Sequence, residues 1–313
     1  MSSKNTSMTP GELSRIIENL VLGKDYRIVV VSLINKDFLD FVIKFFKEVA
    51  EAKMDDKDID LSWYRTRFLS SDLEKDEIAI HSGLNMKTIY DQFGSTKKEL
   101  VIDVSSDHYD ELIQLINEIV ERDKSIDLSL TIKFKKVSVE LSLNESLLVI
   151  NTLAVKRAQL RGGLWSIAGK RVEGPLMLTL CKILQVDPQY YVLKGEKDKI
   201  IKDDKLPFDR EVDFYLVDKS GKQKKTEVKL MGKGNPESAD AFYARDSNIF
   251  VADKLSDQNK AQLDHNGVFW VEMDSGQALQ QFSIILKKLG IPFELPEKIT
   301  IDKIRQAIGE VLG

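Results

Sequence analysis

Residues 211–230 read EVDFYLVDKSGKQKKTEVKL, and this stretch decides how the C-terminal half is built. EVDFYLVD has the apolar and aromatic content of a strand, with Asp213 set among apolar neighbours. KSGKQ follows, with Gly221 as a turn signal, and KTEVKL is the return strand. The stretch therefore predicts a β-hairpin. Residues two apart in a strand project from one face, so Glu227 and Lys229 share a face. Closure of the hairpin brings Asp213 toward it.

Outward from the hairpin, NIFVA (248–252) and GVFWVE (267–272) predict further strands. Helices are expected at about 237–246, 255–264, 275–289 and 301–312. On the N-terminal side, 194–205 (KGEKDKIIKDDK) is a charged loop. PLMLTLCKILQV (175–186) predicts an apolar helix opening on Pro175, a favoured first-turn residue. Strands alternating with helices give a mixed α/β half, with a sheet covered by helices.

The first half is helical in pattern. Leu13, Ile16, Ile17 and Leu20 form one apolar stripe, and Phe38, Phe41, Val42, Phe45, Phe46 and Val49 form another. Between them Ile28 to Leu33 is β-branched, and its periodicity fits either a strand or a buried helix. Residues 53–60 are a charged break, and 61–122 read as helical again. The alternating runs from Ile126 to Phe134 and from Val137 to Leu141 predict strands, followed by an apolar run from Leu147 to Leu153. This region is a small β-rich connector or the first part of the second domain. The expected division is 1–124, helical, and 125–313, α/β.

Within the helical half, residues 75–100 read KDEIAIHSGLNMKTIYDQFGSTKKEL. A short helix through Ile78 and Ala79 meets a turn at Ser82–Asn85, where Gly83 can take the positive φ a tight corner needs. A second helix follows, from Met86 to Phe93, with Met86, Ile89 and Phe93 expected inward. The pattern (about 75–95) resembles the helix-turn-helix of bacterial DNA-binding proteins, whose second helix enters the major groove. That resemblance makes Asn85, Lys87, Thr88, Tyr90 and Gln92 candidates for contact with double-stranded DNA, with Lys97 and Lys98 suited to the phosphate backbone. A plain helical hairpin packed by the same apolar residues is the other reading.

Asp213 and Glu227 on one partly buried surface repel each other unless a cation lies between them. Lys229 supplies one positive charge. Mg²⁺ fits as a further occupant, because it is a hard cation that takes one or two carboxylates and keeps several waters. Phosphodiester hydrolysis needs a metal that polarises the phosphoryl oxygen and activates water. Lys229 is then placed to orient that water and to offset charge on the phosphorus. Glu-x-Lys by itself is equally a salt-bridged surface strand.

An Asp, a hairpin and then Glu-x-Lys resembles the PD-(D/E)xK nuclease superfamily, to which most type II restriction endonucleases belong; Val212 stands where the motif has proline. The resemblance covers about residues 165–275. It implies that Glu173, in GKRVEGPL, stands beside the metal with Asp213 and Glu227; a carboxylate at a helix start also complements the helix dipole. LMGKGNPESADAFYARDS (230–247) is similar to the stretch after the catalytic lysine in the CfrBI-like group. Lys233, Asn235 and Arg245 are its candidates for touching phosphates or bases. The implied fold is α/β (α+β): a helical region with a helix-turn-helix, then a nuclease domain whose mixed sheet is flanked by helices. The implied protein is a Mg²⁺-dependent homodimer, since cutting both strands of a symmetric site takes two active sites. Two alternatives use the same residues: a repair or recombination nuclease of the superfamily, or a helix-turn-helix regulator without catalysis.

Composition agrees and narrows the field. A net charge of −4 argues against indiscriminate coating of nucleic acid, while leaving room for local basic patches. Cys181 is the only cysteine, which excludes an internal disulfide and a multi-cysteine zinc site. His81, His108 and His265 are too scattered for an HxxxH zinc motif. With no basic-apolar leader at the start and no apolar run of about 18 residues, a soluble cytoplasmic protein is expected.

Overall fold

Thr9 opens the first helix, α1 (Pro10–Val21): its hydroxyl accepts from Glu12 N–H while the Glu12 carboxylate accepts from Thr9 N–H. This reciprocal cap, with Pro10 in the first turn, satisfies amides that a helix start otherwise leaves orphaned. The computed structural model describes residues 8–55, 61–125, 128–134, 136–193, 214–230 and 247–313. The predicted helix at 237–246 and the charged loop at 194–205 lie outside them. Chain contacts divide the protein into two compact units, Val31–Leu164 and Met8–Val30 with Trp165–Gly313.

The first unit holds most of α2 (Arg27–Met54), then α3 (Leu61–Phe68), α4 (Lys75–His81), α5 (Met86–Phe93) and α6 (Lys98–Arg122). The β-branched run at 28–33 is helical and belongs to α2. Val29, Val30 and Leu33 are buried while Ile28 is 61% exposed, a helical burial pattern rather than a strand's. A two-stranded antiparallel sheet, β1 (Leu130–Phe134) and β2 (Val137–Leu141), follows as expected. Its end packs with Phe45, Val49, Tyr109, Leu148 and Val149 in one core. A second core gathers Ile78, Ala79, Leu84, Ile89 and Val101 around the α4–α5 corner.

The helix expected to begin at Pro175 begins far earlier. It is α7 (Leu143–Ile183), and Pro175 lies inside it. The apolar run at 147–153 is its first part, not a β-rich connector. Proline lacks the N–H that would bond the carbonyl four residues back. Burial compensates, because Ala168, Val172, Leu176 and Leu180 are all buried at a spacing of four. Thr179 also donates its hydroxyl to the Pro175 carbonyl at 2.8 Å.

The second unit is built on a five-stranded sheet in the order β3 (Tyr191–Leu193), β4 (Phe214–Val217), β5 (Gln223–Lys229), β6 (Ile249–Ala252) and β7 (Phe269–Glu272). The first three are antiparallel neighbours, and β5, β6 and β7 run parallel. The sequence reading missed β3, three residues long. α8 (Asp257–His265) joins β6 to β7, α9 (Ala278–Leu289) follows β7, and α10 (Ile301–Leu312) ends the chain. The architecture is mixed α+β, with a helical N-terminal region followed by a mixed sheet. No helix among the described residues is long and apolar enough to cross a membrane.

Candidate active site

The β4–β5 hairpin forms at the expected place. Gly221 takes φ +80° in the turn, and Asp218 Oδ1 accepts from the Ser220 and Lys222 amides at 2.9 and 3.0 Å. Hydrogen bonds from Ser220 and Lys222 hold the Asp218 carboxyl below the usual carboxylate range. The ladder pairs Phe214 with Thr226 and Tyr215 with Lys225.

Burial along β5 alternates. Thr226 and Val228 are fully buried on one face. Lys225, Glu227 and Lys229 project from the other, as the period of two requires. On that face Glu227 pairs in register with Phe250, and Lys229 with Ala252. Phe250, Ala252, Leu255, Leu263, Val268 and Trp270 pack as an apolar cluster between α8 and the sheet. Glu227 and Lys229 therefore stand at the border of a covered region, their side chains 20% and 38% exposed.

Lys229 Nζ lies 3.4 Å from Glu227 Oε1, and Ser247 donates its hydroxyl to Glu227 Oε2 at 3.1 Å. A carboxylate so held is a hard oxygen donor with lone pairs to spare, the kind of ligand Mg²⁺ takes. No group of three or more His, Cys, Asp or Glu side chains converges among the described residues. Asp213, the second carboxylate of the motif, lies outside the described residues, as do Lys233, Asn235 and Arg245.

Glu173 is described, and it is not a helix-start residue: it is half-buried, late in α7. Its Oε1 reaches to 4.0 Å from where a Cβ on Gly169 would stand, one turn back along the same helix. Ser247 had no signal in the sequence. It closes the 230–247 stretch without being a candidate there, and only the pairing of β5 with β6 brings it to Glu227.

Glu272, two strands from Lys229 in register, is a further buried carboxylate. It pairs with Lys260 at 2.9 Å and accepts from Leu255 N–H at 2.9 Å, which ties β7 to α8.

In the first unit, α4 and α5 meet at the corner read from the sequence. Gly83 has φ +85°, and a His108 Nδ1–H donates to the Ser82 carbonyl at 2.8 Å, tying the corner to α6. Asn85 is the N-cap of α5, its Oδ1 accepting from Thr88 N–H at 3.0 Å. That bond uses the Asn85 side-chain oxygen and the Thr88 backbone N–H, not the Thr88 hydroxyl. Thr88 is half-buried, while Lys87, Tyr90, Gln92 and Lys97 are exposed. Ile89 is fully buried and Met86 half-buried, as expected. Phe93 is not inward: it is 50% exposed, because Gly94 in the left-handed region ends the helix at that point. Tyr90, 57% exposed, joins it on the outer surface.

The CfrBI restriction endonuclease family model matches residues 11–260. No curated protein and no solved structure matches the chain. Members of such a family are nucleases that act on DNA. The match takes in the helical corner, the β4–β5 hairpin and β6 in one span that is most of the 313-residue chain, and the protein belongs to the CfrBI restriction endonuclease family.

Proposed function

We propose that this chain is a type II restriction endonuclease, a homodimer that hydrolyses phosphodiester bonds at a specific sequence in double-stranded DNA with Mg²⁺. The observation that carries the reading is the Glu227–Lys229 pair, a carboxylate and an ammonium 3.4 Å apart on one strand of a hairpin. Asp213 directly precedes Phe214 in the chain, and Phe214 pairs with Thr226, the neighbour of Glu227.

In this reading Asp213 and Glu227 hold Mg²⁺, with Glu173 assisting. The bound ion supplies a polarised phosphoryl oxygen and a water acidic enough to attack at neutral pH. Lys229 donates hydrogen bonds to the attacking water and offsets the negative charge that grows on the phosphate. Its pairing with Glu227 holds the ammonium in place before DNA arrives, so little reorganisation is needed at the reacting phosphorus. The apolar cluster under α8 keeps one flank of the pair dry, which strengthens these interactions relative to water.

The helical region, 1–124, makes DNA contacts through Asn85, Lys87, Thr88, Tyr90, Gln92 and Lys97, and residues 125–313 cut. Lys233, Asn235 and Arg245, in the segment joining β5 to β6, add contacts near the cut.

Digestion of plasmid and phage DNA with Mg²⁺ tests this. Discrete bands are expected from the wild type and none from Lys229→Ala. Intact DNA across varied substrates with both Mg²⁺ and Mn²⁺ refutes the proposal, and sequence-specific binding without cleavage identifies a regulator instead.

A further inference from the structure

Glu227 is held from two sides, and only one of the holders belongs to the motif. Lys229 approaches Oε1; Ser247 donates to Oε2. Ser247 is only 9% exposed, so water competes weakly for its hydroxyl. Its backbone is anchored by the next residue. Asn248 N–H donates to the Lys225 carbonyl at 2.9 Å, and Asn248 Oδ1 accepts from Lys225 N–H at 3.0 Å. The Asn248 carbonyl accepts from Phe269 N–H at 2.9 Å. One residue thus bridges β5, β6 and β7, and Ser247 rides on that bridge, fixed relative to the strand that bears Glu227.

We propose that Ser247 is a positioning residue for the metal-binding carboxylate: its hydroxyl occupies one lone pair of Oε2 and locks the Glu227 side chain in the orientation that a divalent cation requires. The inference rests on the reading of Glu227 as a metal ligand. The physical case is a count of lone pairs and rotors. A carboxylate offers about four acceptor positions and a glutamate side chain swings about three bonds. Lys229 constrains it weakly, because a long ammonium chain follows the carboxylate as it moves. A short serine on an anchored backbone does not follow. Partners of this kind, which orient a ligand without touching the metal, change metal affinity by about 10- to 100-fold when removed.

The test is Mn²⁺ binding by the full chain, followed by the electron paramagnetic resonance signal of free ion, which reads affinity without cleavage. Ser247→Ala should weaken Mn²⁺ binding by about 10-fold and leave the thermal transition near that of the wild type. Ser247→Thr, which keeps the hydroxyl, should bind as the wild type does. Ser247→Val has the shape of threonine without the donor and should bind as weakly as the alanine variant. This isosteric pair decides the matter even if the alanine variant fails to fold, and equal affinities for Thr and Val overturn the proposal. Glu227→Ala separates the two levels. If it binds Mn²⁺ like the wild type, or if the wild type binds none, the metal-site reading itself fails. If it loses Mn²⁺ while Ser247→Ala keeps wild-type affinity, only the positioning role fails.

Discussion

Two corners of this protein, one helical and one β, solve the same geometric problem and then present their polar groups differently. The α4–α5 corner turns at Gly83 and the β4–β5 hairpin at Gly221, with φ of +85° and +80°, a region where a side chain is strained. Past the turn they diverge. The second helix of the α4–α5 corner buries one apolar anchor, Ile89, and leaves Lys87, Tyr90, Gln92 and Phe93 in solvent. The hairpin brings its charges together, with Glu227 and Lys229 within 3.4 Å at the edge of an apolar cluster. In the proposed function the first corner is a binding surface, which keeps its polar groups uncommitted until the ligand arrives, and the second a reactive cluster, which commits them to one another beforehand; half-burial makes that mutual interaction stronger.

The sharpest test of that contrast is Lys229→Ala. It should lower the DNA cleavage rate by about 10²- to 10³-fold, the usual cost of one donor aimed at developing charge. Gel-shift affinity for DNA should stay within a few-fold of the wild type. Equal losses of binding and cleavage would erase the distinction between the two corners.

Next in size is Ile89→Ala, which empties the centre of the α4–α5 core. It should destabilise by about 2–5 kcal/mol, read from denaturant unfolding, whereas Lys87→Ala on the same helix should leave stability unchanged.

The α4–α5 corner also carries a pH dependence. His81, buried at the end of α4 and stacked on Phe68 at 4.0 Å between ring centroids, has its pKa pushed down to about 3 by desolvation. The nearby Lys156 and Arg67 charges act in the same direction. The folded state thus refuses a proton that the unfolded chain takes up near pH 6.5. The stability conferred by neutral His81 is complete above that pH and falls as the pH drops through the window toward 3. A melting temperature that declines from pH 6.5 to 5, where carboxylates remain ionised, and that flattens in His81→Phe is the expected result. A flat wild-type profile over that range removes His81 from the account.

Gly83→Ala and Gly221→Ala should each cost about 1–2 kcal/mol for the left-handed backbone, and space does not decide it. A Cβ on Gly83 meets His108 at an ordinary 3.5 Å, and one on Gly221 meets nothing within 4 Å. The smallest effect is Lys87→Ala, which should lower the slope of log affinity against log salt by about one, with the cleavage rate at saturating DNA unchanged.

Much of this was legible in the residues. The corner at 82–85 and the strands around Gly221, Ile249 and Phe269 carry local signals: a glycine where φ must be positive, β-branched runs, a period of two. Pro175 misled, because a proline mid-helix looks like a helix start when the burial that carries the helix past it is invisible. Phe93 misled for a related reason. Its spacing from Ile89 matches an inward stripe, but the helix ends there and no neighbour covers the last turn.

The sequence by itself determined that Glu227 and Lys229 share a face, since alternation is a property of the strand alone. It also determined that the chain turns at Gly83 and Gly221, because few other residues adopt that backbone without cost. Only the tertiary structure decided what meets Glu227 from across the sheet. Ser247 and Glu227 are twenty residues apart, and no local rule relates them. The parallel pairing of β5 with β6 does so, and that pairing is a matter of which strands share a core, which is settled by the whole chain at once.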